Sequence, residues 1–260
     1  MKSLKLNLTA TAMAATVALG SSFAAPEIAQ AEVSYNIGIH SKYLLRGIGE
    51  ENDGTAVQGG VDWAAEKSGW YAGWWFSNLG YSYEAGNINN EFTGNDGKTD
   101  KSGFENDFYV GYTGTFAKDF GWDAGLIQYI YINVDDSDLT EATGTLTYKD
   151  FYARAQYLLT DGWWGNSGDI YWLAGWSTDL PKNVSLNLEY SYYTYNDSDN
   201  SELGGGPTTS SGGFRYFNVT GSMPIGKTGA DAYVQYTFAG EDRTGTDSND
   251  SMVVGITYGF

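Results

Sequence analysis

The sequence predicts an all-β fold: an antiparallel transmembrane β-barrel of twelve strands that follows a cleaved N-terminal signal peptide. Three observations predict this fold: an export signal at the N-terminus, segments in which apolar and polar residues alternate, and connections that are alternately short and long. The composition agrees, because 16% of the residues are aromatic and only 18% are charged, while the formal net charge is −18. A chain so rich in aromatic residues is not a disordered acidic polymer.

The N-terminal segment has the parts of a secretory signal peptide. A basic start is followed by an uncharged segment at 6–19 and by a small-residue cleavage pattern that ends at Ala31. We expect cleavage before Glu32, with an earlier cut as the alternative. Residues 1–31 are therefore predicted to be a signal peptide, and residues 32–260 a single barrel domain.

Segments of the mature chain alternate between apolar residues and small or polar ones. The alternation is clearest at the C-terminal end, where every second residue is large and apolar: Met252, Val254, Ile256, Tyr258 and Phe260. Segments 33–40 and 184–193 repeat this period, which is typical of a strand with one apolar and one polar face. A soluble two-sheet sandwich would give the same alternation. The export signal, the aromatic residues near strand ends and the terminal Phe260 favour the membrane barrel.

The lengths of the connections predict the number of strands. Outer-membrane barrels have an even number of strands, with short turns at one end and long loops at the other. We expect short turns at 66–69, 117–121, 149–150, 179–183 and 224–229. We expect long polar loops at 47–54, 82–103, 134–137, 161–168, 196–213 and 240–250. The two kinds alternate only if residues 138–160 form two strands joined at 149–150, and this gives twelve strands.

The composition also excludes several classes of function. Binding of nucleic acid is not expected, because phosphate contacts need a basic surface and only 14 residues are basic against 32 acidic ones. The absence of cysteine excludes disulfides, thiolate metal sites and thiol nucleophiles. No cofactor is predicted.

Three motifs in the first third of the chain carry a family resemblance. They read SKYLLRGI at 41–48, AVQGGVDW at 56–63 and YAGWWFSN at 71–78. This succession closely resembles the opening of the TorF family of porins, an exported proteobacterial group. The resemblance implies an outer-membrane barrel. Two departures, Lys42 in place of an acidic residue and Tyr216 in place of an aspartate, weaken any transfer of the family's lumen charges.

The face opposite the apolar one is expected to line the barrel interior. The predicted pore-lining residues are His40, Lys42, Arg46, Gln58, Asp62, Glu105, Asp107, Glu141, Arg154, Gln156, Glu189 and Asp231. Acidic residues predominate, so the interior should weakly favour cations. The predicted function is passive diffusion of ions or small solutes through a porin-like channel. Arg46, expected at the outer end of the first strand, has two interpretations: a residue of the rim or constriction, or an ion-pair partner of Asp62 on the neighbouring strand.

Two other classes of function remain as alternatives. A hydrolase would need a base beside a nucleophile. However, Ser41 points away from the face of His40, so we predict no catalytic residue and no enzyme. Glu105 and Asp107 share one face, which suits acid–base chemistry but is more typical of channel lining. Acidic loops at 135–138, 196–202 and 241–250 could instead act in adhesion or cation binding, although none matches a calcium-binding loop and no metal site is predicted.

The predicted partners follow from the barrel and its location in the cell outer membrane. They are outer-membrane lipid, lipopolysaccharide and small solutes. The C-terminal Phe260 closes an alternating strand, so we also expect it to be recognised by the barrel-assembly machinery.

Overall fold

The alternating segments form strands in the computed structural model, which describes residues 32–50, 54–82, 102–196, 203 and 207–260. The predicted signal peptide, most of the predicted loop at 82–103 and the acidic cluster near residue 200 lie outside the described residues. The strands are β1 (Glu32–His40), β2 (Leu44–Leu45), β3 (Ile48–Gly49), β4 (Ala56–Ala64), β5 (Trp70–Asn78), β6 (Phe104–Ala117), β7 (Phe120–Ile132), β8 (Leu139–Tyr148), β9 (Phe151–Leu158), β10 (Ile170–Leu180), β11 (Val184–Thr194), β12 (Gly212–Pro224), β13 (Ala230–Ala239) and β14 (Ser251–Gly259). Among the described residues, no helix is long and apolar enough to cross a membrane.

Twelve of these strands form a closed antiparallel barrel, as predicted. Each strand pairs with its neighbours in sequence, and β1 closes the ring by pairing with both β4 and β14. Main-chain bonds between Tyr35 and Phe260 extend this closure to the last residue of the chain. The predicted turn at 149–150 joins β8 to β9, so the argument from loop lengths gave the correct strand count.

The outer surface of the barrel is apolar. Every second residue of β1 and β14 faces outward, and Ile39, Met252 and Phe260 are more than half exposed. A soluble sandwich would bury these side chains, whereas a lipid bilayer solvates them. The closed barrel and its apolar outer face support the predicted location in the outer membrane.

Tyrosines lie flat against the inner wall because their partners on the adjacent strand are glycines. Tyr109 pairs with Gly73, and Tyr71 pairs with Gly111 on the same two strands. The same pairing joins Tyr152 to Gly175 and Tyr233 to Gly255. A side chain at any of these glycines would collide with the ring. Glycine therefore lets each ring cover the sheet instead of projecting into the lumen.

A β-bulge in β12 breaks the alternation near the long loops. Ser191 pairs with Tyr216 and Tyr192 pairs with Phe214, which leaves Arg215 without an opposite residue. Arg215 and Tyr216 are consequently both buried inside the barrel, at 2% exposure each.

Candidate channel and its plug

The predicted pore-lining residues on strands occupy the inner face of the barrel. Eight of these ten have little solvent exposure: His40, Gln58, Glu105, Asp107, Glu141, Arg154, Gln156 and Glu189. Asp62 and Asp231 are half-buried, and both lie toward the end with the short turns. Lys42 and Arg46 are not on strands but follow β1 in a loop. That these residues line a conducting pore stays a prediction.

The loop after β1 folds back into the barrel. Its residues 43–50, called here the plug hairpin, contain β2 and β3, which pair with each other and with no barrel strand. Arg46 and Gly47 form the tip and have positive φ angles of 50° and 84°. Such angles suit glycine, so Gly47 allows the tight reversal that lets the hairpin enter the lumen. The interior at the long-loop end is thereby filled.

Arg46 connects the plug hairpin to the opposite wall. Its Nη2 donates to Glu141 Oε2 on β8 at 2.6 Å, and its Nη1 donates to the Tyr193 hydroxyl on β11 at 2.5 Å. Nη2 also lies 3.3 Å from the Tyr129 hydroxyl. The predicted pair of Arg46 with Asp62 is therefore wrong. The prediction placed Arg46 on the first strand, but β1 ends at His40 and the hairpin carries the guanidinium across the lumen.

Aromatic rings enclose the same guanidinium. Its central carbon lies 4.5 Å from the ring centre of Tyr171 and 5.5 Å from that of Trp164. Burial acts to lower the pKa of Arg46, but Glu141, Tyr193 and Tyr129 together outweigh burial, and the pKa lies well above its ordinary value. Arg46 is therefore a permanently charged group in a site shielded from water.

Two further side chains of the plug hairpin pack against the barrel wall. Tyr43 is 2% exposed and packs edge-on against Trp75 with ring centres 5.7 Å apart. Burial and then the nearby Glu105 raise the pKa of Tyr43 well above its ordinary value. Leu44, on the same hairpin, packs with Tyr233 on β13 and Val253 on β14. The hairpin thus contacts walls on several sides.

Glu105 and Asp107 lie side by side beneath the plug hairpin, as their spacing predicted. Glu105 Oε1 accepts a hydrogen bond from the Tyr131 hydroxyl at 3.0 Å. Both carboxyl groups are buried, at 0% and 2% exposure. They form part of the packed interior near the plug hairpin and are not an open acidic channel lining in this structure.

Sequence reasoning missed two arginines that hold the long-loop end. Arg215 Nε donates to the Arg46 carbonyl oxygen at 2.9 Å, and its Nη1 donates to the Glu241 carbonyl oxygen at 3.0 Å. Arg243, in the loop before β14, forms an ion pair with Asp169 from the loop before β10. Strict alternation could not find Arg215, because the bulge reverses its direction. No sequence pattern indicated a role for Arg243, since its partner Asp169 lies in a distant loop.

Toward the short-turn end the interior is polar and partly open to water. Tyr109 donates to Asp62, and Tyr152 donates to Glu189 Oε1 at 2.6 Å. Tyr109, Tyr152 and Asp62 are half-buried, unlike the residues around the plug hairpin. Arg154 Nε donates a hydrogen bond to Thr145 Oγ1 on the neighbouring strand at 3.0 Å. This half of the lumen has the mixed polar lining expected of an aqueous compartment.

In the described part of the chain, the single histidine is hydrogen-bonded to a tyrosine and to no serine. His40 Nδ1 lies 2.7 Å from the Tyr233 hydroxyl, while the Ser41 hydroxyl accepts a bond from the Val254 amide. The described acidic loops are hydrogen-bonded locally, as when Asp242 Oδ1 accepts from the Thr244 amide at 2.8 Å. In the part of the chain that the structure describes, no group of three or more histidine or acidic side chains is arranged to hold a metal ion.

These features define a class of protein: a closed twelve-stranded outer-membrane-type barrel with the fold of porins. A solved KdgM porin has a TM-score of 0.52 and 10% identity, over 87% of this chain and 99% of that one. A NanC porin has a TM-score of 0.47 and 10% identity, over 87% and 99%. Outer membrane phospholipase A from Escherichia coli has a TM-score of 0.44 and 11% identity, over 87% and 90%.

The family model described as "Bacterial protein of unknown function (Gcw_chp)" matches residues 24–172, more than half of the sequence. The chain belongs to this family. The resemblance to porins is confirmed at the level of the fold, but the TorF family name is not. No curated protein matches the chain.

One expectation needs correction in the light of these comparisons. The prediction that the chain is not an enzyme, drawn from the lack of a base beside a nucleophile, is corrected, because the similar solved structures include an enzyme, outer membrane phospholipase A. That likeness concerns the fold and assigns no reaction to this chain.

Proposed function

We propose that the barrel is a porin-like channel for passive diffusion of ions or small solutes, with a weak preference for cations. One observation carries the proposal: a closed barrel that is apolar outside has many charged and polar side chains on its inner face. A barrel that served only as an anchor would not need this interior, because apolar packing would be at least as stable.

Acidic residues set the proposed preference for cations. In the half of the lumen toward the short turns, Asp62, Asp231 and Glu189 face inward, whereas Arg154 on β9 is a basic group that faces inward. Low-dielectric walls concentrate the field of such a lining and raise the local concentration of counterions. Small cations and neutral solutes are therefore the proposed cargo, and lipid, lipopolysaccharide and the assembly machinery remain proposed partners.

Planar-bilayer recording of the refolded full chain tests the proposal. Its comparison is a plug-free variant in which residues 43–50 are replaced by glycine and serine. We expect discrete, brief conductance steps from the wild type and larger, longer ones from the plug-free variant. Absence of steps from both, with intact barrels shown by heat-dependent gel mobility, would reject the channel and favour the alternative role in adhesion or cation binding through the acidic loops.

A further inference from the structure

The plug hairpin is not part of the barrel wall. Its strands β2 and β3 form a separate two-stranded sheet, and the barrel closes without them through the pairing of β1 with β4. At the base of the hairpin, the Gly80 amide donates to the Glu50 carbonyl oxygen at 2.9 Å. The hairpin can therefore move about its base while every ladder bond of the barrel is kept.

Arg46 is the contact that holds the tip across the lumen. Its ion-pair partner Glu141 belongs to β8, which lies five positions from β1 in the ring of twelve strands. The two side chains are 5% and 1% exposed, so salt and water screen the pair poorly. Loss of Arg46 would also release the aromatic contacts with Tyr171 and Trp164.

The closed arrangement leaves some buried donors without partners. Among the described residues, neither Arg46 Nε nor Arg215 Nη2 has a hydrogen-bond acceptor. Burial of an unsatisfied donor is unfavourable, and water would satisfy both groups if the hairpin moved. The seated hairpin is thus stabilised by the Arg46 contacts and by the packing of Tyr43 and Leu44, and it is opposed by these two donors; a two-state element needs such opposing contributions.

We propose that the plug hairpin is a gate that closes the long-loop end of the channel, and that the Arg46–Glu141 pair is its latch. This inference rests on the proposed channel function. Displacement of the hairpin would open a path between the loops and the polar half of the lumen. The latch would set the fraction of time for which that path is open.

A disulfide can lock this gate, because the chain contains no native cysteine. A Cβ added at Gly47 would lie 3.4 Å from the Cβ of Tyr216, close to the spacing of about 3.5–4.5 Å in disulfides. The variant is Gly47→Cys/Tyr216→Cys, and each single substitution serves as its control for strain at the tip. We expect the oxidised double variant to lack the openings that the single variants show, and we expect reductant to restore these openings to the level of the single variants.

Removal of the latch should have the opposite effect. Arg46→Ala should raise the ratio of open to closed time by about 10–100-fold, as expected for loss of charged hydrogen bonds. Traces that do not change on reduction, failure of the disulfide to form under oxidant, or an unchanged open fraction in Arg46→Ala would each overturn the gate.

Labelling separates failure of the gate from failure of the channel. Leu44 is 4% exposed, so a cysteine at Leu44→Cys should react slowly with a charged, water-soluble maleimide. Reaction should be at least about tenfold faster when Arg46→Ala is added. Fast labelling without Arg46→Ala would show that the hairpin is not seated and would overturn the gate. Slow labelling with no conductance from any variant would reject the channel function, and the gate with it, while keeping the seated hairpin.

Discussion

The substitution Gly73→Ala tests whether flat tyrosines shape the lumen. The added Cβ would lie 2.3 Å from Cζ and Oη of Tyr109, far inside contact distance. The ring must therefore move by roughly 1 Å toward the lumen and strain its bond to Asp62. Overpacking costs about 1–3 kcal/mol, and a weakened, partly exposed hydrogen bond adds about 1 kcal/mol. We expect Gly73→Ala to lower the free energy of unfolding by about 2–4 kcal/mol.

The matched control is Gly144→Ala, because a Cβ at this strand glycine meets no atom within 4 Å. Its effect should be within about 0.5 kcal/mol. Urea unfolding of barrels refolded in phospholipid vesicles, followed by tryptophan fluorescence, measures both variants. Addition of Tyr109→Ser to Gly73→Ala should recover part of the loss, since the colliding ring is removed. Equal unfolding free energies for Gly73→Ala and Gly144→Ala would refute the reasoning.

Two further predictions concern charge and closure. The double variant Asp62→Asn/Asp231→Asn should move the ratio of cation to anion permeability in bilayers toward one. Glu66→Gln, on an exposed turn, is the control and should leave the ratio unchanged. An unchanged ratio in the double variant would exclude these two carboxylates from the conduction path. Removal of Phe260 should lower the unfolding free energy by about 1 kcal/mol or more and reduce the yield of folded barrel, because the ring stacks on Tyr35 at 5.5 Å. Unchanged yield and stability would argue against its role in closure and assembly.

The barrel could be predicted from the sequence because the direction of each residue in its wall depends on local patterns. A period of two places Met252 and Ile256 on the lipid face whatever the rest of the chain does. The turn at 149–150 could be deduced since short turns and long loops must alternate around a closed barrel. The inward direction of Glu141 and Arg154 followed from the same two rules.

The plug hairpin could not be predicted, because its path depends on contacts between distant residues. Arg46 meets Glu141 and Tyr193, which are 95 and 147 residues away in sequence. Nothing near Arg46 indicates that its loop turns inward, so Asp62, an acidic residue expected on the neighbouring strand, was chosen as its partner. Arg215 was missed for a different reason, since one extra residue in β12 reverses the alternation locally.

Comparison of the single-channel conductance of the wild type and the plug-free variant tests the central claim most directly. The claim is that the polar interior is a path for solutes and that residues 43–50 obstruct it at the long-loop end. The structure predicts a larger and steadier conductance from the plug-free variant, with cations still preferred over anions. Equal conductance from the two barrels would contradict the obstruction, and no conductance from either intact barrel would contradict the channel itself.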